Sequence, residues 1–239
     1  MIARGEKSIA AVYRGEQAVT AVYRGEQLVW SGDDAGDWQG IKGTATAQTS
    51  VKVNGKVIVI PAGDFDIPIS EPVTSFQFVD GSRTPISIFR MSVTAWEVRD
   101  MTEMFADTLN LIELDLSGID VSGVTNMDSL FSCSWRIETL NLAGWDMSNA
   151  DNIWYMFSEM DSLVNIIGPI KGLGKYDNTI DVAWSPLSPE SVQVLIDGLY
   201  PNTQSWLKSL NVSSECFNRL TQEQIAITTS KGWSITNNG

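Results

Sequence analysis

Carboxylates are the residues best placed to do chemistry in this chain, because its 239 residues include no histidine. Without an imidazole, a Ser/His/Asp triad, a Cys/His pair and a His-ligated zinc site are all excluded. Asp64 and Asp66 flank Phe65, and Asp33, Asp34 and Asp37 cluster before Trp38. Two carboxylates can cleave a glycosidic bond when one protonates the leaving oxygen and the other attacks the sugar or activates water. Neither spacing is diagnostic of such a pair. Among 29 acidic residues both groups read as solvated turn aspartates, with loose calcium binding as the alternative. The two cysteines, Cys133 and Cys216, lie 83 positions apart, which is neither a disulfide framework nor a metal spacing, and both read as buried thiols. The expectation is a protein with no catalytic residues, no metal and no cofactor.

Binding chemistry then falls to aromatic and polar side chains, and their value depends on the elements that carry them. Aligning the chain on itself reveals a 26-residue period: Leu111, Ile137 and Leu163 fall in one column, and Leu114, Leu140 and Ile166 in another. Met104, Leu130 and Met156 form a third, and Phe105, Phe131 and Phe157 a fourth. Leu111-x-x-Leu114-Asp115-Leu116 and Ile137-x-x-Leu140-Asn141-Leu142 put alternate apolar residues on one face of a short strand. Asp120-Val121-Ser122 and Asp146-Met147-Ser148 follow as polar turns. Asp100, Asn126 and Asn152 come next, with the Asp100 to Glu103 spacing of a capping box. Met101, Met104 and Phe105 stand at i, i+3 and i+4, which predicts a short amphipathic helix. A unit of one strand and one helix cannot bury its own apolar face, so such units must stack.

The register shows what each column tolerates. Trp154 aligns with Thr102 and Asp128, and Tyr155 with Glu103 and Ser129, so both aromatics fall in columns that are polar elsewhere and are expected outside. They can anchor a ligand or contact a neighbouring element. Trp135 aligns with Leu109 and Asp161 and is ambiguous, while Trp145 aligns with Ile119 and is expected to pack. The outward strand column reads Glu113, Thr139, Asn165 and Asp115, Asn141, Ile167, a polar and mildly acidic face able to meet a protein or a glycan.

The N-terminal residues repeat with a period of ten: Arg4-Gly5-Glu6-Lys7, Arg14-Gly15-Glu16-Gln17 and Arg24-Gly25-Glu26-Gln27 punctuate short β-prone runs. A three-stranded meander is predicted, which needs a cover from the adjacent domain or from another chain of an assembly. Residues 31–37 read as a linker. Beyond them Asn54-Gly55 separates two strand-like runs, Pro61, Pro68 and Pro72 break the chain, and Phe76-Gln77-Phe78 reads as a short extended piece. After Ile170 the register loosens. Residues 180–182 and 207–212 read as strands, and Ser188-Pro189-Glu190 opens a helix towards Leu199. Thr221 with Gln224 caps a last helix, which ends near Lys231-Gly232 before a closing strand from Trp233.

The Met-x-x-Met-Phe, Leu-x-x-Leu-Asp-Leu-Ser and Asp-x-Ser-x-Val-Thr-Asn-Met strings, best over residues 98–157, resemble the BspA-like leucine-rich-repeat family of bacterial surface proteins. That resemblance implies repeats that act as adhesive, protein-binding surfaces and carries no catalytic residues. The Ala-Val-Tyr-Arg-Gly-Glu-Gln opening resembles N-terminal repeats of tail and prophage structural proteins of gut anaerobes, over some thirty residues.

The expected fold class is α+β: a β-meander over residues 1–32, a small all-β module over 33–84, and a leucine-rich-repeat solenoid of short parallel strands and helices over 85–239. The net charge of −13 repels phosphate backbones and acidic membranes, so nucleic acid is not an expected partner. The start lacks the apolar run of a signal peptide, and no later stretch reaches the length of a membrane span. An extracellular or virion-associated location without a visible signal is expected, with the cell surface as the alternative and no membrane insertion. The expected function is a non-enzymatic, phage- or prophage-derived binding component that recognises a protein or glycan on a cell surface. Residues 1–32 would then meet other chains of the assembly. The alternatives are a bacterial adhesin whose export signal is absent and, third, a glycan-cleaving tail enzyme.

Overall fold

The structure, a computed structural model, describes residues 21–24, 27–31 and 38–237. The chain divides into two compact units, residues 1–38 and 39–239. In the first, Ala21–Arg24 (β1) pairs antiparallel with Gln27–Ser31 (β2), with a register shift between Val22 and Tyr23. The earlier ten-residue repeats, the Gly25-Glu26 turn and the aspartates at 33, 34 and 37 lie outside the described residues.

The second unit begins with a hairpin that its turn residues dictate. Asn54 (φ +51°) and Gly55 (φ +78°) supply the two left-handed residues of a type I′ turn between Thr49–Val53 and Lys56–Ile60, whose twist matches that of the strands. Asn54 also ties the turn to the chain beyond it. Its amide donates to the Pro72 carbonyl (2.7 Å), and its side-chain oxygen accepts the Thr74 backbone N–H (2.8 Å). In chain order the strands of this unit are Gly40–Ala45 (β3), the hairpin pair (β4 and β5), Gly63–Pro68 (β6), Phe76–Phe78 (β7), Ile86–Ser92 (β8), Glu113–Gly118 (β9), Thr139–Asn141 (β10), Asn165–Ile167 (β11), Thr179–Val182 (β12), Lys208–Val212 (β13) and Trp233–Asn237 (β14). The helices are Pro189–Gly198 (α1), Ser214–Asn218 (α2) and Gln222–Ser230 (α3).

Three sheets result, in the orders β5-β4-β7, β11-β10-β9-β8-β3-β6 and β12-β13-β14. The six-stranded sheet is antiparallel from β6 through β3 to β8 and parallel from β8 to β11, so residues 40–68 and the 26-residue repeats share one sheet. Its inner face carries Ile41, Phe65, Phe89, Met91, Leu114, Leu116, Leu140 and Ile166, all buried. The free edge at β11 is covered by the start of α1: the Ser191 hydroxyl accepts the Ile166 N–H (2.8 Å) and donates to the Val164 carbonyl (3.0 Å).

The expected fold class needs correction. The described residues hold fourteen strands and three α-helices, the helices beginning only at Pro189, so the chain is mostly β and not an α+β solenoid of strand and helix units. Where the apolar spacing predicts helices after Asp100, Asn126 and Asn152, the backbone instead makes successive tight turns. Glu103, Asp107, Ser129, Cys133, Tyr155 and Glu159 all have φ between +53° and +58°, one left-handed residue every fourth position in each unit. No α-helix passes through such residues. The hydrogen bonds show what replaces it. Within a unit Met104 N–H reaches only the Met101 carbonyl (3.2 Å). Between units the N–H groups of Met101, Glu103, Phe105 and Asp107 donate to the carbonyls of Asn126, Asp128, Leu130 and Ser132 (2.8 to 3.0 Å). The turns are therefore stacked, and their backbone bonds run from one unit to the next.

Each left-handed non-glycine residue costs roughly 1–2 kcal/mol and each buried backbone bond returns about 1 kcal/mol, so side-chain stacking must close the difference. Phe76, Phe105, Phe131 and Phe157 supply it, with successive ring centroids 5.9, 6.1 and 6.0 Å apart and planes within 29° of parallel. Asp100, Asn126 and Asn152 still receive the N–H two residues on (2.9, 3.1 and 3.0 Å), but as turns and not as helix caps. The capping box expected at Asp100 and Glu103 is absent, since the Glu103 N–H goes to Asp128.

At the C-terminal end local chemistry is followed closely. Ser188 caps α1, Thr221 and Gln224 form a complete capping box on α3, and the Lys231 ammonium donates to the Ile196 and Asp197 carbonyls (2.9 and 2.6 Å) at the end of α1. Cys216 is buried as expected, whereas Cys133 is only half-buried, because its left-handed position turns it towards Glu159.

Candidate functional site

Trp154 and Tyr155 sit in the turn stack of the third unit, and both are exposed, at 60% and 66%. Trp135 is 47% exposed, while Trp145 is buried and its indole donates to the Leu116 carbonyl (2.9 Å), as its column requires. Trp154 does not stand alone. It lies against Asp177, a carboxylate in the next turn of chain that is almost fully buried and accepts the Ile153 N–H (3.2 Å). Burial drives the Asp177 carboxyl up to about 6, even though the Ile153 N–H, the nearby Lys208 ammonium and a hydrogen bond from the Trp154 side chain pull it down.

Lys208 is a nearby cation whose charge partly offsets this burial. Its ammonium, itself buried, donates to the carbonyls of Gly174 (2.6 Å) and Lys175 (2.8 Å) and lies 5.2 Å from the centre of the Trp233 ring. Burial lowers its proton affinity and Asp177 partly restores it. Gly174 is required here: it has φ +71°, and a Cβ would come within 2.5 Å of the Trp233 ring. Lys208 thus ties the start of β13 to the segment before β12, and Asp177 ties that segment to the last repeat.

Exposed aromatic and apolar side chains flank these residues along the chain. Tyr176, next to Asp177, is 49% exposed, and Trp206 and Leu207, next to Lys208, are 48% and 91% exposed. Trp184, just past the end of β12, is 65% exposed. The Lys175 ammonium donates to the Ser148 carbonyl (2.9 Å) and lies 4.9 Å from the centre of the Tyr176 ring, which holds that ring in place. The register singles out Trp154 and Tyr155 but misses Tyr176, Trp184 and Trp206, because no column extends past Ile170 to compare them with. The available signal is that all three flank strand-like runs.

The polar strand column behaves differently from its expected open face. Glu113↔Thr139↔Asn165 and Asp115↔Asn141↔Ile167 are in register as the period requires. Thr139 and Asn141 are nevertheless buried, and Glu113, Asp115 and Asn165 are half-buried. Their polar groups serve the fold: Asp115 accepts the Ser117 N–H (3.0 Å), Asn141 accepts the Ala143 N–H (3.1 Å) and donates to the Ser117 hydroxyl (3.3 Å), and Asn165 donates to Thr139 (3.4 Å). The structure brings Trp154 and Tyr155 together and leaves the strand column in a separate ladder.

Asp64 accepts the Thr44 hydroxyl (2.7 Å) on the edge strand β6, where it shares a face with Asp66. Among the described residues no group of three or more acidic or cysteine side chains is arranged to hold a metal ion, and no helix is long and apolar enough to cross a membrane. No curated protein and no solved structure matches this chain. Residues 77–171, the segment that carries the stacked 26-residue units, match a family described as Mycoplasma protein of unknown function, DUF285.

Proposed function

We propose that this chain is a non-enzymatic binding protein that recognises a protein or glycan on a cell surface, as a phage- or prophage-derived component of a larger assembly. The observation that carries this reading is the set of exposed aromatic side chains, Trp154 and Tyr155 in the last repeat and Tyr176, Trp184 and Trp206 in the chain that follows it. Large aromatics left in water cost solvation unless a partner covers them. The ten-residue repeats at the N-terminus support attachment to other chains. A bacterial cell-surface adhesin is the second reading, favoured by the family match over residues 77–171, where the resemblance to BspA-like surface repeats rests.

Sedimentation of the purified chain with intact Gram-positive and Gram-negative bacteria tests the binding role. The wild type is expected to co-sediment with at least one of them. Trp154→Ala combined with Tyr155→Ala is expected to weaken this at least tenfold with only a small drop in the unfolding midpoint, since both rings are exposed and only the Trp154 interaction with Asp177 is lost. Equal binding by the double variant would remove the aromatic group from the account.

A further inference from the structure

The three parallel strands β12, β13 and β14 carry two polar rows on one face. Their register aligns Thr179, Ser209 and Ser234 in one row, and Asp181, Asn211 and Thr236 in a second. Because side chains alternate along a strand, both rows lie on one face, opposite Ile180, Val182, Leu210 and Val212, which are buried. Thr179 and Ser234 are exposed, Ser209, Asp181 and Thr236 are half-exposed, and Asn211, at the centre of the second row, is buried. The groups are already oriented: the Thr179 and Ser209 hydroxyls stand 3.4 Å apart, Ser234 donates to the Lys208 carbonyl (3.1 Å), Thr236 donates to the Asn211 side-chain oxygen, and Asp181 accepts the Ala183 N–H (3.0 Å).

Exposed apolar groups border these rows. Tyr176 and Trp184 stand before and after β12, Trp206 and Leu207 before β13, and Trp154 lies near Asp177 on the adjoining turn. We infer that the outer face of β12, β13 and β14 is a binding site for an uncharged polysaccharide, whose hydroxyls meet the two polar rows and whose rings stack on Tyr176, Trp184 and Trp206. The inference rests on the binding role proposed above and names the chemistry of its ligand.

Three features select this ligand. Protein partners are met by an apolar, fully desolvated centre inside a polar rim; here the centre is polar and the rim aromatic, the inverse arrangement. The two rows lie between Tyr176 and Trp206, which precede the strands, and Trp184, which follows β12, so a chain running along the strands can meet hydroxyls at its middle and aromatic rings at its ends. Charge excludes a polyanion: the two rows contain no cation, Lys208 is buried on the other face, Asp181 is acidic, and the whole chain carries −13.

The test titrates the full chain with neutral hexasaccharides (cellohexaose, xylohexaose, mannohexaose and chitohexaose), read by intrinsic tryptophan fluorescence. It runs alongside sedimentation with bacteria treated by periodate or by protease. At least one sugar is expected to bind saturably with a Kd below about 1 mM. Trp184→Ala is expected to weaken it tenfold or more and Trp184→Phe much less, and periodate treatment to abolish co-sedimentation. Ser234→Ala, an exposed change that leaves the fold intact, is expected to weaken it severalfold. No sugar binding up to about 10 mM, with co-sedimentation that survives periodate and is lost to protease, overturns the polysaccharide assignment while the binding role stands with a protein ligand. Absence of both sugar binding and co-sedimentation overturns the two together.

Discussion

At the residue scale, Asp177 is the group whose chemistry is most altered by the fold. Its carboxyl, pushed up to about 6 by burial, sits above the ordinary aspartate value near 3.8 that it recovers on unfolding. The folded state therefore holds the proton more tightly, and this contribution to stability is fully present below pH 3.8 and is lost as the pH rises through about 6. Asp177→Asn cannot ionise, so its stability relative to the wild type should improve between pH 4 and pH 7, by roughly 1–3 kcal/mol across that window. Urea unfolding at several pH values measures the difference, and a gap that stays constant with pH would show that Asp177 titrates normally. No motif announced this residue. Asp177 becomes special only because Ile153, Trp154 and Lys208, distant in sequence, converge on it.

At the element scale, the places where the sequence was legible are those governed by local chemistry. Asn54-Gly55 specified its hairpin, Ser188-Pro189 opened α1, and Thr221 with Gln224 closed a capping box, because each motif satisfies backbone groups within a few residues. The 26-residue register was legible too, since it is the offset at which units bond to one another. The repeat's conformation was not. Apolar residues at i, i+3 and i+4 suit a helix, yet the same spacing serves turns that put Met101, Phe105 and Thr108 inward. Nothing marks Glu103, Ser129 or Tyr155 as left-handed, for none is glycine or asparagine. The stacking of units, with Phe105, Phe131 and Phe157 in one column, decides the outcome. Phe131→Ala should therefore be costly, about 3–5 kcal/mol in denaturant unfolding, because its ring is fully buried between two others. A loss under 1 kcal/mol would mean that the column does not hold the units together.

At the scale of the whole molecule, the stacked turns determine what the surface offers. In each unit the third turn residue is left-handed, and in the last unit that residue is Tyr155, beside Trp154. The polar columns of the earlier units foretold the exposure of these two aromatics. The remaining aromatics were not foretold, because from Lys171 onward the chain leaves the register and forms a separate three-stranded sheet. The buried strand column misled for a related reason: Thr139 and Asn141 are short enough to satisfy the ends of their own strands, so polarity there reports on turns and not on solvent.

The exposure of Trp154 and Tyr155 follows from stacked turns in place of helices, and glycine substitution at the left-handed positions tests those turns most directly. In a helix interior, glycine costs about 1 kcal/mol relative to an ordinary residue; at a positive φ it relieves strain of similar size. Glu103→Gly and Ser129→Gly, alone and together, should leave the free energy of unfolding unchanged or raise it by up to about 1 kcal/mol each. A loss of about 1 kcal/mol at each site would place both residues in helices and contradict the account.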